Sequence, residues 1–172
     1  DVGRVSAWWG EAWRAPVRGY RSGDYESQRV MATSPDGTRI PVSLVYRKPI
    51  ALDGRRPLLL HGFGFVGAAT DPSFEAERLS LLDRGFIFAI AHVRGGGEFG
   101  LEWYRAATGA NKMRTFTDFI ACAERLAADG LAAPGKVAAV GQSAGGLLVC
   151  AAMTMRPELF GAVVAKVPFV DV

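Results

Sequence analysis

The sequence is short of histidine, cysteine and long apolar runs, and each shortage removes a class of protein. Its two histidines, His61 and His92, and its two cysteines, Cys122 and Cys150, stand far apart. No cluster has metal-ligand spacing, so neither a metal nor any other cofactor is expected. Both cysteines fall in apolar, helix-like stretches and read as buried free thiols. That suits a reducing compartment and gives the expectation of a cytoplasmic protein. The longest apolar stretches, Phe86 to Ala91 and Leu147 to Met153, are far too short to span a bilayer, so no membrane contact is expected. A strong charge of one sign is also missing. The net charge is +3 and the basic residues are scattered among acids, which leaves no nucleic-acid footprint. There is no initiator Met and no basic-then-apolar leader, and the chain stops at Val172 directly after an apolar strand. It is expected to be a piece of a longer protein.

What is present suits one globular domain: 172 residues, 49% of them apolar. Residues 1–28 are expected to be a linker or junction segment. Trp8, Trp9 and Trp13 bunch there beside Arg14, Arg18 and Arg21, and read as a buried aromatic anchor. Residues 29–172 are expected to be a partial α/β domain. Arg29 to Thr33 and Thr38 to Arg47 read as a hairpin about the turn Ser34-Pro35-Asp36-Gly37. Pro57 to Leu60 is a short apolar strand running into His61-Gly62-Phe63-Gly64. Glu75 to Arg84 looks helical and stops at Gly85. Phe86 to Val93 is an apolar strand. Thr115 to Asp129 is an amphipathic helix with Gly130 past its end. Val137 to Val140 is a strand, a helix follows from about Ala144 to Met155, and Ala162 to Val167 is a last strand. After the hairpin, strands and helices alternate, and the strands are apolar on both faces. A mostly parallel sheet with helices on both sides is therefore predicted, with ligands at the carboxyl ends of its strands.

The strand-to-helix turn Gly141-Gln142-Ser143-Ala144-Gly145 fits a nucleophile elbow. A serine thrust out at such a turn needs a strained backbone, and flanking glycines remove Cβ atoms that would collide with strand and helix. A helix N-terminus beside the hydroxyl favours an anionic intermediate. The oxyanion donors this predicts are the N–H of Ala144 and an N–H from the loop after the His61 strand, at Phe63. A base is missing. His61 and His92 both precede Ser143, whereas this architecture orders serine, acid, histidine. Asp171 comes too early for the orienting acid.

A second glycine motif competes. Gly95-Gly-Gly97-Glu-Phe-Gly100 has the form G-x-G-x-x-G, follows an apolar strand, and has Asp118 about 20 residues on, as a dinucleotide site would. It runs into Leu101-Glu-Trp-Tyr-Arg105 without a clear capped helix, however. A glycine loop packed close to other backbone is the better expectation.

Several ordered blocks then resemble one family: Arg78-Leu-Ser-Leu-Leu-Asp-Arg-Gly-Phe86, Ala91-His-Val-Arg-Gly-Gly-Gly-Glu-Phe-Gly100, Thr115-Phe-Thr-Asp-Phe-Ile-Ala-Cys-Ala123, Gly141-Gln-Ser-Ala-Gly-Gly146 and Arg156-Pro-Glu-Leu-Phe160. Together with Asp24-Tyr-Glu-Ser27 and Val167-Pro-Phe-Val-Asp171, they resemble the prolyl oligopeptidase family of serine peptidases, most closely its oligopeptidase B branch. The resemblance implies an α/β-hydrolase fold, incomplete at its C-terminal end, preceded by a β-propeller. It implies a serine endopeptidase acting on short basic peptides, cleaving after Arg or Lys, with Ser143 as nucleophile and the triad Asp and His beyond Val172. It also assigns Asp71 to basic substrate side chains, although Ser73 stands where a second acid is expected. Phe63 stands where the family carries a tyrosine whose hydroxyl enters the oxyanion hole, and Gln142 replaces a more usual glycine.

Two other readings stay open on the residues alone. His61-Gly62-Phe63-Gly64 also suits a carboxylesterase of the same fold. The missing histidine and the lost tyrosine suit a chain without catalysis, and under every reading this chain alone is expected to be inactive.

Overall fold

The computed structural model describes residues 17–51, 53–133 and 135–170. The tryptophans of the expected anchor and Asp171 lie outside the described residues. A hairpin opens the fold, β1 (Tyr25–Thr33) and β2 (Arg39–Arg47), paired antiparallel. Its turn closes where Gly37 takes φ +84° and donates to the Ser34 carbonyl at 2.8 Å. The strand begins at Tyr25, four residues before Arg29, so residues 25–28 of the expected junction belong to the sheet. Burial on the opposite strand explains why: Tyr46 is covered across from Glu26, and Gln28 reaches its hydroxyl at 2.5 Å.

The remaining elements are β3 (Leu58–Gly62), α1 (Leu79–Leu82), β4 (Ile87–Ala91), α2 (Leu101–Arg105), α3 (Met113–Ala128), β5 (Val137–Gln142), α4 (Ala144–Met155) and β6 (Phe160–Lys166). The sheet order is β1-β2-β4-β3-β5-β6. β2 meets β4 antiparallel, and β4, β3, β5 and β6 run parallel. This is the expected α/β-hydrolase arrangement, incomplete, with β6 paired on one side only among the described residues.

Two expectations need correction, and the helix after the glycine loop is uncapped, as expected. Residues 75–84 do not form one helix. A 3-10 turn at Ala76–Arg78 passes into the single turn of α1, and the chain reverses at Gly85, φ +85°. β3 extends to Gly62, so His61 sits in the sheet and the loop begins at Phe63. A helix does follow the glycine loop, at α2. No side chain caps it; the Trp103 indole, bonded to the Val93 carbonyl at 3.1 Å and packed edge-on against Phe99, holds it from within the fold.

The core lies between the sheet and the pair α3 and α4. Leu58, Leu60, Ile87, Val42 and Val137 from the strands meet Phe119, Leu126, Leu148 and Val149 from the helices, all essentially without exposure. Each such side chain contributes roughly 1.5–3 kcal/mol by leaving water. α3 presents one apolar stripe, whereas α4 is apolar nearly all round. The opposite sheet face carries a smaller cluster, Leu82, Phe88 and Ile90, under α1.

One buried polar network ties hairpin, loop and helix together. The Arg94 guanidinium grips Asp118 of α3 with two bonds, at 2.8 and 2.6 Å. It also reaches Asp36 in the hairpin turn, and Ser34 donates to Asp118 at 2.6 Å. Arg94 holds the Asp36 carboxyl well below the usual carboxylate range.

Candidate active site

Ser143 leaves the carboxyl end of β5 with φ +55° and ψ −118°, a backbone state that side-chain-bearing residues rarely adopt. The neighbouring glycines show why the turn can be this tight. A Cβ on Gly141 would lie 2.0 Å from the Gly145 carbonyl oxygen, and one on Gly145 would lie 2.5 Å from that of Gly62. Strand, helix and the end of β3 therefore touch backbone to backbone.

The strained residue is fixed from a direction the motif does not announce. Its N–H donates to the Lys166 carbonyl at 3.0 Å, and its carbonyl accepts from the Phe169 N–H at 3.1 Å and from Gly146 at 2.9 Å. Pro168 packs where a Cβ on Gly146 would fall, 2.8 Å away. The turn after β6 thus clamps the elbow. The match of Val167-Pro-Phe-Val-Asp171 to the family was the available signal, but nothing in that segment forecasts the contact.

The Ser143 side chain is exposed and has no hydrogen-bond partner among the described residues. Beside it stand the first N–H groups of α4, which have no intrahelical acceptor. Ala144 is the first of them. Phe63 follows β3 directly, and its Cα would lie 3.5 Å from a Cβ on Gly145, so its loop abuts the same helix end. The structure therefore brings Ser143, Ala144 and Phe63 together.

It does not bring either histidine to the serine. His92 is 2% exposed, and its Nε2 lies 2.8 Å from the Ser43 hydroxyl, with Nδ1 3.6 Å from Glu98. His61 is half-buried in β3, and burial pushes its imidazole below the ordinary range, helped by Arg78 and Lys166. Asp71 is exposed, on the wall of a pocket of about 170 Å³ shared with His92, Glu98 and Phe99. Ser143 does not line that pocket, nor the groove of about 590 Å³ between Tyr25, Phe74, Arg78 and Phe88.

The glycine loop resolves the competing motif. A Cβ on Gly95 would lie 2.4 Å from the Gly64 oxygen, and one on Gly97 2.0 Å from the Gly67 oxygen. The space a pyrophosphate would need is filled by backbone. Asp118, the residue at ribose distance, is fully buried on Arg94.

Comparison with known proteins agrees with this geometry. The profile of the prolyl oligopeptidase family matches residues 72–172. The chain is 49% identical to dipeptidyl aminopeptidase BI of Pseudoxanthomonas mexicana over 158 residues, covering 91% of this chain and 22% of that protein. It is 45% identical to protease 2 of Moraxella lacunata, covering 92% and 23%. Among solved structures, oligopeptidase B from Trypanosoma brucei with covalently bound antipain superposes with a TM-score of 0.86 at 50% identity, over 90% of this chain and 22% of that one. A post-proline cleaving enzyme from Rickettsia typhi reaches 0.89 at 40% identity. The chain therefore spans less than a quarter of the length of these relatives. With the elbow, the sheet order and the matched profile in agreement, this chain belongs to the prolyl oligopeptidase family.

Proposed function

We propose that the full-length protein is a serine peptidase of oligopeptidase B type that cleaves short peptides after Arg or Lys. Ser143 attacks the scissile carbonyl, and the oxyanion forms against the N–H groups of Ala144 and Phe63. The observation that carries this reading is Ser143 itself: exposed, held at positive φ, and aimed past a helix N-terminus between two glycines that admit no side chain. A His, oriented by an Asp, takes the serine proton and returns it to the leaving amine. Neither described histidine reaches Ser143, so both groups are assigned to sequence beyond Val172. Asp71 is the substrate-side carboxylate, and its pocket also carries Glu98. One oxyanion donor is worth about 3 kcal/mol of barrier. With Phe in place of the family tyrosine, that work falls on backbone.

The test is Ser143→Ala in the full-length protein, assayed on an Arg or Lys peptide amide. A fall in kcat of about 10⁴-fold or more is expected, and full retained activity would refute the assignment. The 172-residue chain alone is expected to show no turnover. The segment His61-Gly62-Phe63-Gly64 also suits an esterase of the same fold. Comparing kcat/KM on Arg amides with short acyl esters separates the two, and activity confined to esters would favour the esterase.

A further inference from the structure

The loop that presents Phe63 is under strain, and one half-buried cation holds it. Gly64, Val66 and Gly67 take φ of +62°, +48° and +66°. For valine, branched at Cβ, this is a costly conformation. On one side the Gly64 carbonyl rests against Gly95, whose Cβ, if present, would lie 2.4 Å away. On the other it accepts a hydrogen bond of 2.6 Å from the Lys112 ammonium. The same ammonium donates to the Thr115 hydroxyl at 3.1 Å and lies 5.0 Å from the centre of the Phe65 ring. Thr115 in turn donates to the Arg94 carbonyl at 2.9 Å. Lys112 therefore touches the residues one and two places after Phe63, and fastens them to the start of α3.

We propose that Lys112 is a positioning residue for the oxyanion hole, which sets the Phe63 N–H by clamping the Gly64 carbonyl. The inference rests on the reading of Ser143 as nucleophile.

The electrostatics fit a clamp rather than an ion pair. No described carboxylate lies within 4 Å of the ammonium. Burial lowers its pKa to about 8, with no charged group contributing. The charges on the elements packed around it are engaged elsewhere. Arg94 is tied to Asp118 and Asp36, Arg114 turns to the Ala106 carbonyl, and Glu98 accepts from the Thr70 N–H and faces His92. His61 stands before the loop, within β3. The sign follows. Because the folded state favours the neutral amine, the ammonium is held at a cost to stability below pH 8, and stability rises with pH between about 8 and the ordinary lysine range. The clamp weakens over the same window. Activity and stability should therefore move in opposite directions.

The experiment compares the full-length protein with Lys112→Met and Lys112→Arg on a peptide amide from pH 6 to 10. Deuterium exchange of the 63–66 segment, corrected for the intrinsic rise with pH, is followed in parallel. Lys112→Met is expected to lower kcat at pH 7 at least about tenfold with KM little changed, since a small misplacement of a catalytic group is enough for that. It should also remove the alkaline fall near pH 8 and speed exchange of the segment. Lys112→Arg should restore much of kcat and move the alkaline fall beyond the measured range. Unchanged kcat in Lys112→Met, or a lowered kcat with exchange at the wild-type rate, overturns the proposal. If Lys112→Met does not fold, the wild-type protein still decides. Exchange of 63–66 that rises through pH 8 supports the clamp, and flat corrected exchange overturns it. Ser143→Ala, run alongside, keeps the two readings apart: it tests the nucleophile and should leave exchange of the loop unaltered.

Discussion

Two glycine-rich turns leave the carboxyl ends of neighbouring parts of one sheet, and they do opposite things. The elbow, Gly141 to Gly145, uses its missing Cβ atoms to bring strand and helix into contact, and the side chain between them is pushed out into solvent with no hydrogen-bond partner among the described residues. The loop Gly95 to Gly100 uses the same absence to sink against the carbonyls of Gly64 and Gly67. The charge before it and the charge within it then turn inward, Arg94 to Asp118 and Glu98 to the Thr70 N–H. One turn presents a side chain and the other fastens the segment opposite. What a glycine motif does depends on the atoms that occupy the space the glycines leave.

The largest test of that contrast is at the fastened end. Asp118 is fully buried and holds both Arg94 and Ser34. Asp118→Ala strands a buried guanidinium and should cost about 3–5 kcal/mol, read as a shift of the urea midpoint at constant slope. A loss well under that range would mean that Asp36 alone satisfies Arg94.

Next in size are the two closest glycine contacts. Cβ atoms at Gly97 and Gly141 would each lie 2.0 Å from a carbonyl oxygen. Substitution by Ala should cost about 1–3 kcal/mol of stability at either place, because backbone must move. The kcat losses should differ. Gly141→Ala displaces the peptide leading to Ser143, whereas Gly97→Ala presses on Gly67, beyond the Lys112 clamp. The loss in Gly141→Ala should be the greater, and the reverse order would mean that the oxyanion loop is the more sensitive part.

The elbow and the parallel sheet were legible because both are written locally. Glycine spacing, a run of small apolar residues and a following apolar helix are neighbours in sequence, and the parallel strands Leu58–Gly62, Ile87–Ala91 and Val137–Gln142 are apolar on both faces. The helix α2 was not legible, because it lacks a cap and is held by Trp103 reaching back to Val93. Nor was the clamp on the Phe63 loop, since Lys112 and Gly64 are 48 residues apart and share no motif. Nor was the fastening of Ser143 by Lys166 and Phe169, which requires β6 to lie beside β5. Interactions closed through the fold leave no periodic trace in sequence.

The smallest expected effect concerns the cost of presenting Ser143. A residue with a Cβ at positive φ carries roughly 1–2 kcal/mol of strain, and four backbone hydrogen bonds, with Lys166, Phe169, Gly146 and Leu147, keep Ser143 there. Ser143→Ala retains that strain, while Ser143→Gly removes it at the expense of about 0.5–1 kcal/mol of unfolded-chain entropy. Both variants lack the hydroxyl, so their difference isolates the backbone. Ser143→Gly should be the more stable of the two by up to about 1 kcal/mol, measured as the difference in urea midpoints. No comparable gain is available at Gly95, where φ of +94° is already occupied by glycine. If Ser143→Gly were instead the less stable variant, the elbow would be a conformation the surrounding contacts make comfortable. Presentation of the serine would then cost the fold no more than the buried loop does.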